Sequence, residues 1–115
     1  MARPFLPESA VTWLVGADPR RVLVLGAAGP YATAIREQGH AVLILDRDAD
    51  TLGRVIDRRP DLGGVVAQAE SMPFDSAQFD RVVCAQNLHT FAPGLVLGEI
   101  ARVLAPGGRL CVTYL

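Results

Sequence analysis

Gly26-Ala-Ala-Gly-Pro-Tyr31 closes one apolar run, Val22-Leu-Val-Leu25, and Asp46 closes another, Ala41-Val-Leu-Ile-Leu45, twenty residues after Gly26. Small residues after a strand let the backbone come close to a ligand, and a helix that follows presents unpaired N–H groups. Pro30 suits the first turn of that helix, where its missing donor costs nothing. A carboxylate at the end of the next strand can accept two hydrogen bonds from a ribose diol. Each feature has a plainer meaning when taken alone: a tight turn without a ligand, or a helix cap. Asp48 or Asp50 can cap the helix that follows, so Asp46 is not needed there. Turn plus acid is more specific than either part, but it does not distinguish one nucleotide cofactor from another. His89, in Gln86-Asn-Leu-His89, is the one candidate general base near these loops. Its alternative is a histidine packed near its loop or half exposed. His40 is expected at the surface of the opposite edge.

Alternating elements must position these residues. Val22–Leu25 and Ala41–Leu45 read as buried parallel strands, and Val65–Ala67, Arg81–Cys84 and Arg109–Leu115 as three more. Helices are expected from about Tyr31 to Gln38, with Gly39 as the stop, from Ala49 to Arg58, and from Leu95 to Leu104. In the last, Leu97, Ile100, Ala101 and Leu104 form the buried stripe, and Pro106-Gly107-Gly108 is the break. An amino-terminal helix is expected to pack Val11, Trp13, Leu14 and Val15 into the core. Strand, helix, strand with short connections predicts an α/β fold, a parallel sheet covered on both faces. Ligands of such sheets bind beyond the carboxyl ends of the strands. That rule selects Gly26–Tyr31, Asp46–Arg47, Gln68–Glu70 and Ala85–His89.

The chain has 115 residues, half of them hydrophobic, with 11 basic against 12 acidic side chains. This predicts a single domain over 1–115, with an amino-terminal extension over 1–20 and the core over 21–115. The near-neutral balance argues against electrostatic nucleic-acid binding. No apolar run approaches the ~20 residues that span a bilayer, and the amino terminus lacks a signal-peptide core, so a cytoplasmic protein is expected. Cys84 and Cys111 have no metal-ligand spacing and read as small buried hydrophobes, so no metal site is expected.

Two further segments carry a family resemblance. Ala69-Glu-Ser-Met-Pro-Phe74 with Phe79-Asp-Arg-Val-Val83, and Glu99-Ile-Ala-Arg-Val-Leu-Ala-Pro-Gly-Gly-Arg-Leu110, resemble the class I S-adenosylmethionine-dependent methyltransferases, most of all the small-molecule group labelled type 11. The resemblance covers nearly the whole chain. It implies a Rossmann-like open sheet of strand order 3-2-1-4-5, S-adenosyl-L-methionine as cofactor, and a small-molecule methyl acceptor. By the same resemblance Gly26, Ala27 and Ala28 form the turn under the methionine and ribose, Asp46 binds the ribose hydroxyls, and Arg47 flanks the adenine. Gln68 stands where many relatives carry an acid for the adenine amino group, Ala69 offers its backbone N–H, and Glu70 is close by. Ala85 and Gln86 line the methionine end.

The chain departs from the family pattern in three ways. Val24 replaces an acid found in many relatives, which removes a partner worth about 1–3 kcal/mol to a cationic ligand. The glycine-rich turn reads Gly26-x-Ala28-x-Pro30. The family's last two strands are not expected after the fifth, which predicts an exposed apolar edge at Arg109–Leu115, either covered by a second copy or another chain or marking a truncated or degenerate family member. Two alternatives to an active methyltransferase stand beside it: an inactive methyltransferase-like remnant or assembly subunit, and an NAD(P)-binding oxidoreductase-like domain, since Gly26-Ala-Ala-Gly29 with Asp46 also fits a dinucleotide site. Against the second, the chain has no lysine and hence no Tyr-x-x-x-Lys pair.

Overall fold

Every side chain of Val22-Leu-Val-Leu25 is buried, which requires cover on both sides of the strand they form. The computed structural model, which describes residues 8–27, 30–85 and 92–113, provides that cover. Its elements are α1 (Glu8–Val15), β1 (Arg21–Leu25), α2 (Tyr31–Glu37), β2 (Ala41–Asp46), α3 (Ala49–Arg58), β3 (Gly63–Val66), β4 (Phe79–Ala85), α4 (Pro93–Val103) and β5 (Leu104–Thr113). The strands are parallel, in the order β3-β2-β1-β4-β5, as expected.

Alternate residues of each strand point to opposite faces and build two cores. On one face Val22, Val24, Ile44, Val83 and Cys111 meet Val11 and Val15 of α1, Ile35 of α2 and Leu52 of α3. On the other, Leu23, Leu25, Leu45, Val82 and Cys84 meet Val96, Ile100 and Val103 of α4, with Ala69 and Met72 from the segment after β3. Both cysteines are buried and free. Local chemistry sets the helix ends. Asp48 caps α3, its carboxylate accepting from the N–H groups of Asp50 and Thr51. Gly39, at φ +93°, ends the turn after α2 in a conformation that favours glycine.

Four expectations need correction. Trp13 is 85% exposed rather than in the core. The face of α1 that meets the sheet carries Val11 and Val15, four residues apart, and Trp13 lies between them on the other side. His40 is buried, not on the surface. Its ring lies just before β2, where Nδ1 accepts from the Arg20 N–H at 3.0 Å while Ala41 N–H donates to the Arg20 carbonyl. The buried stripe of α4 is Val96, Ile100 and Val103, while Leu97 and Ala101 face out. Finally, α4 stops at Val103, before the Pro-Gly-Gly segment. Leu104 pairs with Phe79 and Arg109 with Arg81, so residues 105–108 form an outward excursion within β5. Gly108 is needed there because a Cβ would lie 2.8 Å from the Ala105 carbonyl oxygen and 3.1 Å from that of Asp80.

Candidate cofactor-binding site

The parallel register brings the carboxyl ends of four strands side by side. Leu25 pairs with Leu45 and with Cys84, and Asp46 pairs with Val66. Gly26 therefore follows β1 in the middle of the sheet, flanked by the ends of β2 and β4. Its N–H donates to the Leu45 carbonyl at 2.8 Å, and its φ of +99° turns the chain away from the sheet toward α2.

Asp46 is half-buried and knits this region together. Its Oδ2 accepts from the Ala27 N–H at 2.8 Å and its Oδ1 from the Asp48 N–H at 2.8 Å. Its own carbonyl accepts from the Ala67 N–H at 3.1 Å. One residue thus joins the ends of β1, β2 and β3. An ionised carboxylate has about four acceptor positions, so among the described residues these two amides leave capacity on both oxygens. That pair of acceptor oxygens suits a ribose diol, whose two hydroxyls need acceptors held side by side. Arg47 beside it is exposed.

After β3, Gln68 is exposed, Ala69 is buried and Glu70 is half-buried. Glu70 spends Oε2 on the N–H of Ala92, at the start of α4, at 3.1 Å. Ala85 ends β4 and pairs with Thr113 of β5. The Thr113 hydroxyl lies 3.0 Å from the hydroxyl of Tyr31, the first residue of α2, so the helix behind the glycine turn is tied to β5 as well. Gly26, Ala27, Asp46, Arg47, Gln68, Ala69, Glu70 and Ala85 all lie at the same end of the sheet. Ala28, Gln86 and His89 fall outside the described residues.

Three contacts were not legible as site features in the sequence. One is the Asp46 tether to Ala27. The second is the Tyr31–Thr113 pair. The third is a clamp from α4. Glu99 accepts from the Met72 N–H at 2.7 Å, and Arg102 donates to the carbonyls of Met72 and Phe74 at 2.9 and 2.6 Å. The signal for the clamp was the family-like Glu99-x-x-Arg102 spacing, which otherwise reads as a solvent-facing helix pair.

Among the described residues no strongly activated nucleophile stands out. Burial pushes the Cys84 thiol up to about 11 and raises that of Cys111 too. Among the described residues no group of three His, Cys, Asp or Glu side chains could hold a metal ion, and no helix is long and apolar enough to cross a membrane. An open cavity of about 270 Å³ lies at the other end of the sheet, lined by Arg21, Leu43, Gln78 and Phe79 among others. Its charged group, Arg21, is already paired with Asp80, so it offers little to a ligand.

Residues 23–112 match the family model described as a methyltransferase domain. An uncharacterised methyltransferase of Mycobacterium tuberculosis (strain H37Rv) is 38% identical over 113 residues, covering 97% of this chain and 46% of that protein. A demethylmenaquinone methyltransferase of Beutenbergia cavernae is 36% identical over 101 residues, covering 85% and 42%. The crystal structure of a candidate methyltransferase from Bacillus halodurans C-125 is similar with a TM-score of 0.81 at 25% identity, over 91% of this chain and 49% of that one. The chain spans about half the length of the curated relatives it matches.

Proposed function

The chain belongs to the methyltransferase domain family, the class I S-adenosylmethionine-dependent methyltransferases, and from that premise we propose that it binds S-adenosylmethionine at the carboxyl ends of β1 to β4 and serves methyl transfer to a small-molecule acceptor. The observation that carries this reading is the Asp46 carboxylate, which among the described residues takes one backbone amide on each oxygen and keeps acceptor positions on both. In this reading Asp46 binds the ribose hydroxyls, and the turn from Gly26 through Ala28 lies under the ribose and methionine. Gln68, the Ala69 N–H and Arg47 surround the adenine, with Glu70 next to them. Ala85 and Gln86 border the methionine end.

The cofactor, when bound, supplies a methyl group on a cationic sulfonium, open to in-line displacement. The protein's part is mainly to hold both reactants in line and exclude water. A base is needed only for an acceptor that must lose a proton, and His89 is the residue proposed for it. Demethylmenaquinone, named for the Beutenbergia cavernae relative, is the first acceptor to try.

Titration with S-adenosylhomocysteine and, separately, with NAD tests the reading through the melting temperature. A ligand at about 100 times its Kd stabilises the folded state by about 2.7 kcal/mol. Saturable stabilisation by S-adenosylhomocysteine alone is expected. Stabilisation by NAD alone would favour the dinucleotide reading, and stabilisation by neither would remove cofactor binding.

A second reading rests on β5. Among the described residues it pairs with β4 alone, so its outer backbone groups are open to a further strand. In that reading the domain serves in an assembly, and a concentration-dependent mass in light scattering, without any shift from S-adenosylhomocysteine, is its signature.

A further inference from the structure

We propose that Glu99 and Arg102 of α4 are positioning residues for the nucleoside-binding segment after β3, an inference that rests on the cofactor reading above. The two side chains form one unit. The Arg102 guanidinium donates through Nε to Glu99 Oε2 at 2.8 Å and through Nη2 to Glu99 Oε1 at 3.1 Å. Its remaining reach goes to the backbone of the segment: Nη2 to the Met72 carbonyl at 2.9 Å, and Nη1 to the Phe74 carbonyl at 2.6 Å. Glu99 Oε1 closes the loop by accepting from the Met72 N–H at 2.7 Å. The Arg102 carbonyl adds a further tie, accepting from the N–H of Ala77 at 2.9 Å.

Residues 67–78 lie between two strands and have few ladder partners of their own. Four of their backbone groups, the Met72 N–H and carbonyl, the Phe74 carbonyl and the Ala77 N–H, are satisfied from α4, as buried backbone polar groups require. The upstream end of the segment is fixed by the Ala67 N–H on the Asp46 carbonyl, and its middle by Glu70 on the Ala92 N–H. Gln68 and Ala69 are suspended between the Asp46 anchor and the α4 clamp. Whatever sets the position of Met72 and Phe74 therefore sets where Gln68 and Ala69 face. Burial of Met72 against Val96 and Ile100 supports the same placement from the apolar side. A guanidinium is the side chain that can do this, because its planar fork reaches a carboxylate and two carbonyls at once. A lysine keeps the charge and loses the fork. The Ala-Glu-Ser-Met-Pro-Phe and Glu-Ile-Ala-Arg segments, which carry the family resemblance, are thereby the two halves of one contact.

The test uses Arg102→Met and Arg102→Lys in the full chain with two readouts. Amide hydrogen exchange on the free protein is expected to quicken at least tenfold at residues 69–72 in both variants, with residues 22–25 of β1 unchanged. Affinity for S-adenosylhomocysteine is then compared with that for S-inosylhomocysteine, which differs only at the purine edge. The wild type should prefer the adenine form, and both variants should reduce that preference at least threefold. A loss of global stability does not by itself change the ratio of two affinities. Exchange that quickens uniformly, or a preference that stays within twofold of wild type, overturns the proposal. Failure of the wild type to bind either nucleoside overturns the cofactor reading and this inference with it. It is told apart because the exchange readout needs no ligand.

Discussion

The two ends of the five-stranded sheet are tied by different kinds of hydrogen bond. At the amino end, Asp80 receives three donors from Arg21: its backbone N–H at 2.9 Å, Nε at 3.2 Å and Nη2 at 3.1 Å. That pairing holds the Asp80 carboxyl below its ordinary value. Beside it, His40 Nδ1 receives the Arg20 N–H. The side chains of Arg20 and Arg81 lie about 4 Å from the Cβ position of Gly16, just past the end of α1. The last turn of a helix exposes carbonyls and favours nearby cations, which α1 does not supply from its own last turn. At the carboxyl end, Asp46 takes, among the described residues, one backbone amide on each oxygen. The Arg21–Asp80 pair at the first end is spent on the fold, and the acid at the second keeps acceptor capacity among the described residues. A ligand is therefore expected at the carboxyl end, and substitutions at the two ends should separate stability from binding.

The largest stability effect is expected from Gly108→Ala. The added Cβ would meet the Ala105 and Asp80 carbonyl oxygens, backbone atoms that cannot swing aside. Overpacking of this kind costs about 1–3 kcal/mol. Chemical denaturation should show that loss, while affinity for S-adenosylhomocysteine, measured where the variant is folded, stays at the wild-type value.

A smaller, pH-dependent effect is expected from His40. Burial, then the charges of Arg20 and Arg81, lower its pKa from 6.5, while the Gly16 carbonyl acts weakly the other way. Its Nε2 lies toward that carbonyl without completing a hydrogen bond. The folded state thus holds the neutral ring and the unfolded state takes up the proton first. The stabilisation is complete above 6.5 and is lost as pH falls from there to the lowered folded pKa. One such group gives a slope of at most about 1.4 kcal/mol per pH unit. Urea midpoints from pH 7.5 to 5.0 should fall in the wild type. In His40→Asn, whose amide oxygen can still accept the Arg20 N–H, the decline should be shallower. An equal decline in both would remove His40 as its cause.

Trp13→Ser should change least. With 85% of its surface exposed, the indole contributes little to folding, and the denaturation midpoint should move by no more than about 0.5 kcal/mol. A loss of several kcal/mol would restore Trp13 to the core.

What the sequence made legible follows from period and position. Fully apolar runs announced β1 and β2, and their ends announced Gly26 and Asp46, because a parallel sheet leaves few other places for a polar residue near the core. Asp48 was legible as a cap from its place before a helix. Trp13 and His40 were misread because each depends on facts that pattern does not carry: which side of a two-turn helix meets the sheet, and where an N–H before β1 finds its acceptor. The α4 stripe was displaced by one residue, since Leu95, Val96 and Leu97 offer three registers for one apolar face. The Glu99–Arg102 clamp was present as a motif, but its partners are backbone atoms about 30 residues away, which no local spacing specifies.

Asp46 is the residue proposed to hold the ribose. Calorimetric titration of S-adenosylhomocysteine into the wild type and Asp46→Ala tests it most directly. Saturable binding to the wild type is expected, with a loss of about 1–3 kcal/mol in the variant, the scale of charge-assisted hydrogen bonds removed from a bound ligand. Equal affinity for the two proteins would contradict it.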